Sequence, residues 1–157
     1  KIPEEAHFSG TGELKFLSVF IRDKHNRPIT ELDFLEKVSV EVELEAFKDI
    51  ENISLSLFIL NQFGDRIIAA NNSIDYKPVN LKKGKIWYKI ELIEQLMPGS
   101  YTLGLAASFF HTGSDIDFVE GVYPFKVGKE SKEFNMEYPW ATIHGYLKPN
   151  TEWKLLR

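Results

Sequence analysis

The chain has 157 residues, and its 43% hydrophobic and 27% charged residues are those of an ordinary globular protein, long enough to bury a real core. A net charge of −4 argues against a nucleic-acid partner held through phosphate contacts. The absence of cysteine excludes disulfide scaffolds and thiolate metal sites. No apolar run reaches the roughly 18 residues of a membrane span, so direct membrane insertion is not expected. The chain opens at Lys1 without methionine or signal peptide, and is expected to be a domain excised from a longer protein.

Alternation of apolar and polar residues with a period of two dominates the chain. The first strand, "ELKFLSVFIRD" at 13–23, has conflicting parity: Leu14 and Phe16 disagree with Leu17, Val19 and Ile21. A bulge near Phe16-Leu17 reconciles them. Val38, Val40, Val42, Leu44 and Ala46 then alternate with Ser39, Glu41, Glu43 and Glu45, the pattern of a half-buried strand. Ile53, Leu55, Leu57 and Ile59 alternate with Ser54, Ser56 and Phe58. The turn "FGD" at 63–65 leads into a short strand at Arg66–Asn71, and "KKGK" at 82–85 enters the set Ile86, Tyr88, Ile90 and Leu92. Two more strands, 100–110 and about 116–127, flank "HTGSD". Short strands split by turns predict an all-β, immunoglobulin-like antiparallel sandwich. One domain is expected over 1–157, with its core at about 9–128 and a connector and C-terminal arm over 129–157.

The stretch "QLMPGSYTLGLAASFF" at 95–110 fixes the topology. Leu96, Pro98, Gly99 and Tyr101 have the layout of a tyrosine corner, where the ring hydroxyl bonds back to the turn's backbone. That places 85–93, 100–110, 53–60 and 116–127 at the E, F, C and G positions, with C, F and G in one sheet. Tyr101, Leu103, Leu105, Ala107 and Phe109 fill one face of the F strand, whereas Thr102, Gly104, Ala106 and Ser108 keep the other face low. With Ser54, Ser56 and Phe58 beside them, and Phe110 and His111 at the end, these residues outline a shallow trough. Hydroxyls between flat apolar walls suit a sugar ring, with its apolar C–H face and rim of hydroxyls. The candidate carbohydrate contacts are therefore Ser54, Ser56, Phe58, Thr102, Ala106, Ser108, Phe110 and His111. Trp87, outward on the other sheet, is a rival platform. The alternative is a trough packed by the C-terminal arm or by another subunit.

Catalytic chemistry is not indicated. No Walker motif, GxSxG elbow, HExxH or GxGxxG fingerprint occurs. The histidines at 7, 25, 111 and 144 lack metal-ligand spacing, and His7 and His25 are expected to be solvated. Asp115, Asp117 and Glu120 offer a thin ligand set for a cation, and a solvated loop is expected there instead. No carboxylate stands at an evidently buried position. No catalytic residue, metal or cofactor is expected in this domain.

"GTGELKFLSVFIRDKHNRPI", "LNQFGDRIIAANN", "GKIWYKIELIEQLMPGSYTLGLAAS" and "HGYLKPNTEW" occur in one order over residues 9 to 153. As a set they resemble the C-terminal carbohydrate-binding domain of Wzt-type polysaccharide ABC transporter ATPases. The resemblance implies an immunoglobulin-like sandwich following a nucleotide-binding domain, which would carry ATP and Mg²⁺. It implies a cytoplasmic place, peripheral to the inner membrane, beneath the transmembrane subunit of the transporter. The implied ligand is the lipid-linked O-antigen polysaccharide, often at a modified non-reducing end. The implied assembly is a homodimer with a C-terminal strand exchanged between protomers, for which 142–157 is the candidate. Two other readings remain open: a sandwich interaction or dimerisation module without a glycan pocket, and a carbohydrate-binding module of a secreted enzyme.

Overall fold

A computed structural model describes residues 1–157. Nine strands build a sandwich: β1 (His7–Ser9), β2 (Leu14–Arg22), β3 (Ser39–Ala46), β4 (Ile50–Leu60), β5 (Arg66–Asn71), β6 (Val79–Leu81), β7 (Gly84–Glu91), β8 (Gly99–Phe109) and β9 (Asp115–Val127). The larger sheet runs β1-β9-β8-β4-β5, with β6 on β4 and the two-residue strand Glu31–Leu32 parallel to the end of β9. The smaller sheet runs β2-β3-β7, with Pro28–Ile29 on the outer edge of β2. β4, β8 and β9 thus share one sheet and β7 lies in the other, as the corner motif predicts. No helix of the protein is long and apolar enough to cross a membrane.

Alternation decides which face is buried. In β3 every second residue from Val40 to Ala46 is buried, and in β8 Tyr101, Leu103, Leu105 and Ala107 are. Side chains of both sheets interlock in one apolar cluster that includes Leu14, Ile21, Leu44, Ile53, Leu57, Leu103 and Leu105. The parity conflict in β2 resolves as expected. The β2–β3 register slips between Phe16 and Ser18, so Leu14 and Phe16 face inward on one side of the slip and Val19 and Ile21 on the other. Leu17 is the extra residue, and its carbonyl accepts the backbone N–H of Ile2 at 2.8 Å.

The tyrosine corner is formed. The Tyr101 hydroxyl donates to the carbonyl of Met97 at 2.5 Å, and its ring stacks on Phe125 at 5.6 Å. Burial pushes the phenol up to about 12, with the Tyr146 phenol a lesser cause. The folded state therefore holds this proton where the unfolded chain, near 10, has released it. We expect stability to be complete below pH 10 and to fall as pH rises from about 10 to about 12. Urea melts across that range should show the fall in the wild type. In Tyr101→Phe they should show a flatter profile and a loss of about 1 kcal/mol at neutral pH from the unpaired Met97 carbonyl.

Beyond β9 the chain forms a small hairpin, Glu130–Ser131 against Met136–Glu137. Tyr138 packs edge-on against Phe34 and takes part in hydrogen bonds to His144. Leu147–Lys148 then pairs with Gln95–Leu96, and residues 149–157 have no regular structure.

Candidate functional site

The outer face of the larger sheet carries the trough residues, and the structure distributes them among three environments. Cross-strand pairs set the rows: Thr102 with Leu60, Gly104 with Phe58, Ala106 with Ser56 and Ser108 with Ser54.

At the Ser108 end the hydroxyls of Ser54 and Ser56 are already engaged. Asn71 caps α1 (Asn72–Asp75), its carbonyl oxygen accepting the Ser73 N–H at 2.9 Å and the Ser54 hydroxyl at 3.1 Å. Its amide donates to the Ser56 hydroxyl at 2.7 Å, and the Ser73 hydroxyl donates to Ser54 at 2.8 Å. Ser54 and Ser56 therefore serve a closed network beneath α1, and Ser54 is buried. The local signal was the run Asn71-Asn72-Ser73, residue types that favour helix caps. Phe110 and His111 lie past the end of β8, both exposed, their rings edge-on at 5.4 Å.

The middle of the face explains why the F strand keeps small residues. A Cβ on Gly104 would stand 3.3 Å from Cδ2 of Phe58 and 3.3 Å from the carbonyl of Val119. The Phe58 ring thus lies in the space that Gly104 leaves. Phe118, which pairs with Ala106, meets Phe58 edge-on at 6.4 Å. Arg66 lays its guanidinium over Phe58 at 4.1 Å and reaches Glu120 on β9, with Nη2 2.8 Å and Nε 3.2 Å from Oε2. This ion pair straps β5 to β9 across the two strands between them. Arg66 and Phe118 are the residues that strand-by-strand reading missed, and Glu120, weighed there only as a cation ligand, holds an arginine instead.

The concave part of the face is at the other end. A cleft of about 460 Å³ is lined by Thr30, Gln62, Ser100, Thr102, Pro124 and Lys126, among others. Of the candidate contacts, Thr102 alone lines it. Its walls offer the hydroxyls of Thr30, Ser100 and Thr102, the amides of Asn61 and Gln62, Lys126 and Glu31, so donors and acceptors stand beside the apolar ring of Pro124. Trp87 is exposed on the outer face of the smaller sheet, opposite Glu43 and away from all of this.

Three acidic residues behave differently from the expected solvated loop. Asp115 accepts the Ser9 hydroxyl at the surface, Glu120 holds Arg66, and Asp117 is buried. Asp117 Oδ1 is 2.7 Å from Nδ1 of His7, and Oδ2 accepts the Phe16 N–H at 2.8 Å. His7 is accordingly tucked into the sandwich edge, not solvated. The bulge beside Phe16 and the short β1 create this site, and neither shows in the spacing of the acidic residues. The three carboxylates point to different partners and form no common ligand set.

Comparison with known proteins decides the family. The model of the Wzt C-terminal domain matches residues 5–138. The chain belongs to the Wzt C-terminal domain family. The crystal structure of the C-terminal domain of Wzt superposes with a TM-score of 0.73 over 97% of this chain and 90% of that one. At 15% identity that likeness is one of fold. A β-glucosidase from Listeria innocua in complex with glucose covers 75% of this chain and 16% of its own length, at 17% identity and a TM-score of 0.40, too low to carry an argument. No curated protein sequence matches the chain closely. This Wzt C-terminal domain is thus a non-catalytic, ABC-transporter-associated β-sandwich.

Proposed function

We propose that this domain recognises a lipid-linked O-antigen polysaccharide for export, without covalent chemistry, as part of a transporter's ATP-binding subunit. The observation that supports the reading is the outer face of the larger sheet, where a polar cleft at Thr102 adjoins aromatic rings on one surface. Donors and acceptors meet a sugar's hydroxyls, and rings meet its C–H face. The proposed contacts keep Phe58, Thr102, Ala106, Ser108, Phe110 and His111, with Ser54 and Ser56 supporting from below and Trp87 as the rival surface. The domain itself needs no cofactor in this reading; ATP and Mg²⁺ belong to a nucleotide-binding domain of the full-length subunit. Its place is the cytoplasmic side of the inner membrane, held there through the transmembrane subunit.

Weak single sites suit this task. A millimolar to micromolar site corresponds to about 4 to 8 kcal/mol, and pairing two sites in a homodimer raises the effective concentration for a long chain. The arm favours such a dimer: Trp153, Leu155 and Leu156 are at least 88% exposed in a segment with no partner strand. Light scattering of the chain with and without 149–157 reads this directly. The same exposed tail is what favours the second reading, an interaction module without a glycan pocket.

The test is an NMR titration with the source organism's own O-polysaccharide, intact and with its non-reducing end trimmed. Shifts at Gln62, Ser100, Thr102 and Lys126, extending along the face to Phe58, Ala106, Ser108, Phe110 and His111, are expected, and their loss on trimming marks recognition of the chain end. Shifts around Trp87 move the site to the other sheet. No shift with either sample leaves the interaction module.

A further inference from the structure

The strap in the middle of the outer face has more hydrogen-bonding capacity than it uses. A guanidinium carries five N–H donors, yet Arg66 spends only Nε–H and one Nη2–H, both on the same oxygen of Glu120. Nη1 and the Glu120 Oε1 atom make no hydrogen bond within the protein, and the two side chains are 46% and 28% exposed. An exposed ion pair is weakly held by its charges alone. This one is fixed instead by stacking, 4.1 Å from the Phe58 ring centre and 5.4 Å from that of Phe118. A rigid donor set beside a free acceptor oxygen is what adjacent sugar hydroxyls require.

On the far side of the strap from the cleft lies an aromatic shelf. Phe8 is 66% exposed and stands 5.9 Å from Phe118, tilted 45° to it; the low residue Ala106 lies beside Phe118, and Phe8 stands one strand further out on β1. Cleft, strap and shelf follow one another along β8, from Thr102 past Gly104 to Ala106. That distance is about 13 Å at ~3.3 Å per residue, longer than one sugar ring. The charged groups along this path, including those in the concavity beside Phe8, are Lys126, Arg66 and Lys15 against Glu31, Glu120 and Asp117, three of each sign, so the path carries no net charge.

Building on the glycan reading above, we infer that the Arg66–Glu120 strap and the Phe8–Phe118 shelf form a second subsite continuous with the cleft. The whole then takes an uncharged stretch of several sugar residues laid along β8. The strap supplies hydrogen bonds at the centre, and the shelf supplies stacking at the end.

Calorimetric titration tests this with the source strain's O-polysaccharide cut to single repeat units and to fragments of several repeats. The wild-type domain should bind the longer fragment at least about tenfold more tightly than the single unit, a difference of ~1.4 kcal/mol. Phe8→Ala and Arg66→Lys should each remove most of that advantage, since lysine keeps the charge but loses the planar stack and the multiple donors. Circular dichroism confirms that both variants are folded. Equal binding of the two fragments by the wild type, or an advantage that survives both substitutions, overturns the second subsite and leaves the cleft standing. Tighter binding of polygalacturonate than of a neutral mannan overturns the uncharged class. No heat with either O-polysaccharide fragment overturns the glycan reading and this inference with it.

Discussion

Replacing Gly10 with alanine is expected to lower the stability of the domain by more than about 3 kcal/mol, the range reached only by severe steric or buried-polar defects. Two independent reasons combine at this position. The backbone of Gly10 has φ +143°, a region that L side chains rarely adopt. A Cβ there would stand 2.0 Å from the carbonyl oxygen of Ile116, and 2.4 Å from its carbon. The clash is with backbone, so no rotamer change relieves it. The neighbouring residues cannot drift away without loss, because Thr11 and Gly12 donate their N–H groups to the carbonyls of Asp115 and Ile116 at 3.1 and 3.0 Å. Gly12 is the contrast: its φ is +84°, but a Cβ there meets nothing within 4 Å. Urea denaturation should show a much larger drop in midpoint for Gly10→Ala than for Gly12→Ala. Equal drops would mean that strain in φ, rather than the contact with Ile116, sets the cost.

Asp117→Ala should cost about 3 kcal/mol, from a different cause. The carboxylate is buried and serves both the Phe16 N–H and the His7 ring. Removing it strands two buried donors or ring nitrogens, each worth about 1 to 3 kcal/mol when left unpaired. His7 has little reserve, since its Nε2 is already buried without a partner. Asp117→Asn keeps an acceptor and most of the shape, and should recover at least half of the loss. Urea midpoints for the pair of variants check this. A change in Asp117→Ala below about 0.5 kcal/mol, the range of ordinary surface substitutions, would show that the site is hydrated or readily rearranged.

These two positions also show where sequence reading stops. The β8 parity, the tyrosine corner and the slip in β2 were legible because each is a local pattern, written in consecutive residues. Asp117 was not, because its burial depends on the bulged edge of β2, about a hundred residues earlier in the chain. The small residues Thr102, Gly104, Ala106 and Ser108 mark one low face in the sequence, but the filling of that face comes from Phe58 and Phe118 on the two neighbouring strands. The pairing of Arg66 with Glu120 has no signal in the sequence: the two lie 54 residues apart and meet only once β5, β4, β8 and β9 are in register. Alternation in β4 places Ser54 and Ser56 on the outer face, yet the Asn71 cap that occupies their hydroxyls comes from the end of β5, on the next strand. The face was legible; the partners of its side chains depended on register.

The pairing of β1 with β9 sets the order in which this surface is made. His7 sits opposite Val119, so the edge of the larger sheet closes only after the chain has returned across more than a hundred residues. Contacts of such sequence separation form late and slowly, after local hairpins such as β8–β9 are in place. Phe8 arrives with that last strand. On a chain emerging from the ribosome, Phe8 and the rest of β1 therefore wait for β9 until synthesis has passed residue 119, and the cleft at Thr102, where Glu31 pairs with Lys126, is completed only a few residues later.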